Sequence, residues 1–322
     1  MRPLRHDHPG PRGPRRRAGL RLLPLQGPPG QAPAPGDRVK PLEGSGEPPR
    51  GSPVRPLEAG ERVLLQDTKG RRYLITLEQG ATFHTHRGRL PHDQLIGSAE
   101  GTVARTDLGQ KLLVLRPTLA DWVVKMPRGA QVIYPKVLAL MVMAADVQPG
   151  MTVAEAGAGS GALSIALLQA LAPGGRLHSF ERRPDFAEGA RGNVERWFGK
   201  APDGYHLHEG DVVEGIGAVG AVDRVLLDLL EPWLVVPGAA AAMAPGGVLV
   251  CFVATVPQVM RLVEALEGSG GFGLVETSEA IFRPWHVDGL AVRPEHRMVG
   301  HTGFLVSARR IEGSWPSPGR AP

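Results

Sequence analysis

The sequence predicts an α/β fold with a seven-stranded, mostly parallel sheet, preceded by a small β-rich domain. Three observations carry this reading. From about residue 151 onward, short apolar runs alternate with segments of helical period, the pattern of a parallel sheet covered on both faces. Between residues 58 and 120, two strand–turn–strand patterns appear instead, each bent at an Asp/Gly turn. Residues 1–55 show no period and contain 13 Pro and 9 Gly.

That N-terminal stretch buries too little apolar surface to offset its ordering entropy. Residues 1–57 are therefore expected to be a disordered extension, and residues 313–322 a disordered tail. Residues 1–55 carry 11 Lys and Arg against 4 Asp and Glu, a net of +7, and include the run "RGPRRR". This run is either solvated or an auxiliary arm for RNA. The remaining chain holds 26 basic and 28 acidic residues, a net of −2, so the overall charge of +5 says little about the folded body. No apolar run reaches the ~18 residues of a membrane-spanning helix. A lone cysteine, Cys251, allows no internal disulfide and sits in an apolar run, as a buried thiol would. A cytoplasmic protein is expected, with no membrane contact.

Within 58–120, "ERVLLQDTKGRRYLITL" turns at Asp67–Gly70 and "TVARTDLGQKLLVLRP" turns at Asp107–Gly109. The segment between them holds His84, His86 and His92. Without Cys or acids at ligand intervals they form no metal site, and no metal is expected. A helix begins near Pro135 and stops at Pro149–Gly150. Strands then follow at 151–156, 176–181, 205–211, 222–229 and 246–255, with helices near 161–172, 184–198, 232–243 and 256–267. The helix at 161–172 aligns Leu163, Ala166, Leu167 and Leu171 on one face. Strands at 274–282 and 301–310 lack a crossover helix, so they are expected to pair antiparallel through a long loop at 283–300.

The run "VAEAGAGSGALS" (153–164) lies where the first strand of the parallel sheet turns into its helix. Gly157, Gly159 and Gly161 allow a tight turn and close approach of backbone to a ligand. Strand two ends in Glu181, about where an acid accepts hydrogen bonds from both ribose hydroxyls of an adenosine. The run also fits the dinucleotide pattern G-x-G-x-x-A, ending at Ala162. Three acids favour S-adenosylmethionine: Glu155 before the glycines, Asp211 ending strand three and Asp228 ending strand four. A sulfonium and an ammonium suit a crevice ringed by carboxylates better than a pyrophosphate does. A nicotinamide oxidoreductase and a fold relic without catalysis stay open on the residues alone.

The motifs together resemble one family, the tRNA (adenine-N1)-methyltransferases acting on adenosine 58 of the T-loop, of the bacterial and archaeal homomeric type. The resemblance runs from about residue 58 to 310. It rests on "FHTHRGRLPH" (83–92), "RPTLADWVVKMPRGAQVIYPK" (116–136), "EAGAGSGALS" (155–164), "LDLLEPW" (227–233), "FVATVPQV" (252–259) and "RPWHVDGLAVRPEHRMVGHTGFLV" (283–306). It implies a Rossmann-like class I methyltransferase domain over 121–312, a tRNA partner and a homotetramer. It further implies S-adenosylmethionine held by Ser160, Gly161, Ala162, Leu163, Glu181, Asp211 and Asp228, with Asp228 as the catalytic aspartate. Phe186 stands near that site where the family commonly has His or Arg, Ala158 where it often has Thr, and Val137 where it often has Asp. Substrate contacts are expected at His84, Tyr134, Trp233 and His301, although packing is the favoured role for Tyr134 and Trp233, and His301 fits a core role equally. Arg283, Arg293, Arg297 and Arg309 are candidate phosphate contacts. Two alternatives fit less well. Adenine-N6 enzymes of the common type carry Pro-Pro after the strand-four acid, and "DLLEPW" has none. A non-catalytic RNA-binding subunit would not need the intact glycine turn.

Overall fold

The computed structural model describes residues 55–129, 131–313 and 315. The disorder expected for residues 1–57 and 313–322 falls almost wholly outside that range. Leu57 is inside it and differs from expectation: its side chain is fully buried in the N-terminal core, and its N–H donates to Ser98 O. The apolar leucine has a pocket waiting between the strands that follow.

The N-terminal region is β-rich. Strands β1 (Arg62–Asp67), β2 (Arg72–Thr76), β3 (Thr82–Thr85), β4 (Gly88–Pro91), β5 (Val103–Arg105) and β6 (Lys111–Leu115) form a four-stranded sheet in the order β2-β1-β6-β5 and a separate β3–β4 hairpin. Both expected Asp/Gly turns join antiparallel partners, β1–β2 and β5–β6. The Asp67 side chain shows why: its Oδ1 accepts from the backbone N–H groups of Lys69 and Arg71, closing the first turn locally.

Helix α1 (Leu119–Lys125) has no apolar periodicity to mark it, but it has a start signal. Thr118 and Asp121 form a reciprocal capping box. Helix α2 (Pro135–Ala144) begins at the expected proline and stops short of Pro149.

The large sheet follows: β7 (Thr152–Ala156), α3 (Ala162–Leu171), β8 (Arg176–Glu181), α4 (Pro184–Phe198), β9 (Tyr205–Glu209), α5 (Val212–Gly215), β10 (Val222–Leu227), α6 (Val236–Ala242), β11 (Met243–Val253), α7 (Val256–Gly268) and β12 (Phe272–Glu279). A two-stranded hairpin, β13 (Trp285–Asp288) with β14 (Ala291–Pro294), and a last strand, β15 (Phe304–Arg310), complete the chain. The seven strands run in the order β12-β15-β11-β10-β7-β8-β9. Neighbours from β11 to β9 pair parallel, whereas β15 is antiparallel to both β11 and β12, as the missing crossover helix requires.

Three local expectations change. Helix α3 is not amphipathic: Ala162 to Leu168 and Leu171 are all buried, because α2 covers the face that one-sided packing would leave wet. The helix expected at 232–243 splits into a 3-10 turn at Pro232–Leu234 and α6, since Pro232 and Pro237 each remove a backbone donor. The expected loop 283–300 carries the β13–β14 hairpin, turned at Gly289 with φ +53°. Most of its side chains stay exposed, so no alternation marks it.

The chain winds from β7 to β9 on one side, then returns to β10 on the other. Ligands of open parallel sheets bind at that reversal, outside the carboxyl ends of the strands. Here β7 and β10 lie side by side and their ends nearly touch. Asp228 N–H donates to Ala156 O at 2.9 Å, and a side chain at Gly157 would bring a Cβ to 2.1 Å from Asp228 O. Gly157 also holds φ +87°. Gly109, at φ +82° in open space, is the natural control. Gly157→Ala should cost on the order of 3 kcal/mol from left-handed strain and collision, and Gly109→Ala about 1 kcal/mol from strain alone. Urea unfolding of the two variants measures the difference, and equal costs would refute the collision.

Candidate active site

A cleft of about 340 Å³ opens at the reversal. Gly157 and Gly159 form its floor, Glu181 and Phe186 one wall, and Asp211 and Asp228 the ends of the next strands. Six expected cofactor positions thus converge on one cavity from four different loops. The glycine turn is held against the neighbouring strand ends. Gly157 N–H donates to Phe180 O, and Gly159 N–H donates to Glu181 Oε2 at 2.9 Å. Glu181 Oε1 accepts from Arg183 N–H at 3.0 Å, so the carboxylate is fixed while lone pairs remain for a ligand.

Asp228 is the first residue after β10. Its N–H still donates to the neighbouring strand at Ala156 O, while its side chain lines the cleft. Burial, and then the charge of Glu181, push its carboxyl up to about 6. Asp211 also caps α5, one of its oxygens accepting from Val213 N–H at 2.9 Å. Phe186, the departure from a basic residue, carries the Arg183 guanidinium on its ring at 3.7 Å. A basic group is therefore present there, supplied from three residues earlier. Val137, the departure from Asp, is buried in the core.

Glu155 is not in the cleft. It is fully buried behind the turn, where Ser164 and Ser179 hydroxyls donate to its Oε2 at 2.7 and 2.9 Å. Its Oε1 and the Tyr205 hydroxyl have no partner among the described residues. The β-strand alternation that sends Glu155 inward is the reason, and counting back from the glycines could not reveal it. Ser160 lines a neighbouring cavity, and Gly161, Ala162 and Leu163 begin α3 beneath the turn. Gly161 N–H donates to Ala158 O at 2.7 Å, closing the turn, and the N–H groups of Ala162 and Leu163 lie in the first helical turn, where there is no intrahelical partner.

The expected substrate residues do not cluster. Tyr134 is exposed and lines a separate, mostly apolar cavity with Lys136, Phe282 and Thr302. His301 sits beside it, donating from Nδ1 to Glu279 Oε1 at 2.6 Å and from Nε2 to Ala254 O at 3.1 Å. Both bonds raise its pKa, the carboxylate more than the carbonyl. Trp233 packs partly buried against the core below the cleft, with Arg261 over its ring at 5.4 Å, and does not line the cavity. His84 is exposed on the β3–β4 hairpin, and buried His92 accepts from Glu78 N–H, a structural bond. Among the described residues no group of three or more His, Cys, Asp or Glu is arranged to hold a metal, and no helix is long and apolar enough to cross a membrane. Sequence reasoning missed Gln131 and Leu230, which line the cleft from flanking loops. Gln131 lies within the run 116–136, but nothing in its type or spacing singles it out.

Three carboxyls, Glu155, Glu181 and Asp228, therefore share one end of the sheet. Burial chiefly, opposed by the two serines and reinforced by the charges of Asp228 and Glu181, pushes Glu155 up to about 7. A carboxyl raised on folding favours the protonated native state. Stability is then lost as pH rises from its ordinary value of 4.5 through 7. The loss is on the order of 3 kcal/mol. Glu155→Gln should flatten that part of the profile in urea titrations between about pH 5 and 8. A profile unchanged from the parent would reject the assignment.

Comparison with known proteins agrees with this geometry. A family model described as "tRNA methyltransferase complex GCD14 subunit" matches residues 111–292, and one described as "TrmI-like N-terminal" matches residues 56–104. The chain is 40% identical over 252 residues to the tRNA (adenine(58)-N(1))-methyltransferase TrmI of Thermus thermophilus, covering 78% of this chain and 98% of that one. Among solved structures it is similar to a SAM-dependent O-methyltransferase of Thermotoga maritima, with a TM-score of 0.76 and 30% identity over 81% of this chain and 96% of that one. It is also similar to the tRNA (m1A58) methyltransferase TrmI of Aquifex aeolicus, with a TM-score of 0.70 and 26% identity over 80% and 100%. One family model spans more than half of the chain and a relative shares two residues in five, so this protein belongs to the GCD14/TrmI family of tRNA methyltransferases.

Proposed function

We propose that this protein transfers a methyl group from S-adenosylmethionine to nitrogen 1 of adenosine 58 in the T-loop of tRNA. The observation that carries the reading is Asp228. It is a carboxyl at the end of β10, in a cleft floored by a glycine turn and walled by a second acid. The residues present fit the cofactor. Glu181 offers acceptors to ribose hydroxyls, Asp211 has one oxygen without a hydrogen bond, 3.9 Å from the exposed Arg182 guanidinium, to offer an amine, and the acids together suit a cation. Gly157, Gly159, Ser160, Gly161, Ala162 and Leu163 supply backbone, and Phe186 an aromatic wall. Bound there, the cofactor supplies an electrophilic methyl on a sulfonium.

Nitrogen 1 of adenine has an in-plane lone pair, so no base need remove a proton from it. Alignment supplies much of the rate. The Asp228 carboxylate accepts from the exocyclic amine, holds the ring in register and stabilises the positive charge that grows on it. It can also take a proton from that amine. The base must leave its stack to reach this carboxylate. Exposed Tyr134 and His301, the latter with its pKa raised by Glu279, are the surfaces offered to the RNA outside the cleft. We extend the reading to a homotetramer in the cytoplasm. Its support is the family resemblance and the exposed apolar residues Trp285, Val287, Leu290 and Val292 of the β13–β14 hairpin, which suit a second copy.

The direct test uses labelled cofactor and unmodified tRNA transcripts, with and without an adenosine at position 58, followed by digestion to nucleosides. Label in 1-methyladenosine is expected only from the first transcript. Label on a ribose hydroxyl would instead favour O-methyl transfer, the chemistry of the Thermotoga protein. Asp228→Ala should lose transfer by about 10²-fold or more even at saturating cofactor, and near-normal turnover would sink its role. Because Asp228 must be ionised and its pKa is raised to about 6, single-turnover transfer should decline as pH falls through 6. A rate that holds down to about pH 5 would contradict that.

A further inference from the structure

Three cavities lie in series along α4. The cleft shares Gly159 and Phe186 with a cavity of about 740 Å³ between residues 127–129 and the helix. That cavity shares Glu195 and Arg196 with a third, of about 580 Å³, where the end of α4 meets the N-terminal sheet. The third cavity is rich in guanidinium groups. Arg55 and Arg116 are matched there to Glu61 and Glu100. Arg62 of β1 and Arg196 of α4 are different: both line the cavity, and among the described residues neither makes an ion pair. Glu195 also lines the cavity, without an ion pair to either among the described residues.

Both groups are held in place by the protein. Arg62 lies over the Trp122 ring at 4.6 Å, and Trp122 is buried against Trp197 at 6.0 Å. Partial burial, and then the charge of Arg196, hold the Arg62 guanidinium below its ordinary value. Arg196 Nη1 donates to Asn193 Oδ1 at 3.2 Å. Buried Asn193 in turn donates to Ser160 O at 3.0 Å and Pro127 O at 2.7 Å, reaching the glycine turn. The cavity is lined by four guanidinium groups against two carboxylates, and Arg62 and Arg196 are the two without an ion pair, so an anion bound beside them would offset the excess positive charge. Guanidinium forks match the oxygens of a phosphate in geometry as well as in charge.

We propose that Arg62 and Arg196 form a phosphodiester site for the substrate RNA, apart from the methyl-transfer cleft and joined to it by the groove along α4. This rests on the reading that the substrate is an RNA. The site would bind phosphate irrespective of base and hold the strand while the target nucleotide is turned into the cleft.

The test measures binding of an unmodified tRNA transcript and of an unrelated single-stranded RNA across a range of salt. The proteins compared are the full chain, Arg62→Gln, Arg196→Gln, the double variant and the corresponding double Lys variant. Each guanidinium lost should lower the slope of log affinity against log salt by about one, equally for both RNAs. The Lys pair should recover most of the slope, since it restores charge but not the stack on Trp122. A folded double Gln variant with the parental slope overturns the site. Equal losses in the Lys and Gln pairs assign the arginines to packing and overturn it too. A parent protein that binds RNA with these slopes but transfers no methyl overturns the activity proposed above and leaves this site standing. A parent without affinity for RNA overturns both.

Discussion

The site depends on the contact between the ends of β7 and β10. There the Asp228 carbonyl approaches so closely that Gly157 can have no side chain. That approach sets both the floor of the cleft and the position of its central acid. The parallel ladder between the two strands brings them together, and the glycine lets the chain turn away at once towards α3. A sheet reversal at this point makes a crevice, and the tight turn makes the crevice deep enough to take a nucleoside.

The electrostatics follow from the same packing. Glu155, Glu181 and Asp228 cluster because three strand ends converge, and two of the three carboxyls are driven towards their neutral forms by burial and by neighbouring acids. Only Glu155 is fully enclosed, and its two serines give it partners that do not compete for a ligand. The free protein therefore stores unfavourable negative charge where a cationic ligand would relieve it. Along α4 the opposite holds, with Arg62 and Arg196 storing unfavourable positive charge where an anion would relieve it. One helix thus connects two sites of opposite sign, consistent with a substrate pair in which one partner is a small cation and the other a polyanion.

Much of this is legible in the residues. Strand β8 and helix α4 fall where the pattern predicts, and the glycine turn with Glu181 and Asp228 marks the cleft from sequence alone. Short elements are harder. The β13–β14 hairpin is largely exposed and so lacks alternation, and α1 is announced only by its capping box. Glu155 departs from expectation, and Trp233 takes the packing role rather than the pocket role. Each lies close in sequence to the cleft, but side-chain direction on a strand or a 3-10 turn decides which side of the backbone it faces.

The sequence by itself determined the order of the longer strands and helices, the position of the glycine turn and the acids that surround it. Those depend on local periodicity and on residues within a few positions of one another. Only the tertiary structure decided that the Asp228 side chain enters the cleft, that Glu155 turns away from it, and that Arg62 and Arg196 line one cavity across 134 residues of chain. Such placements arise from how distant segments pack, and a charge has no preferred neighbour until the fold supplies one.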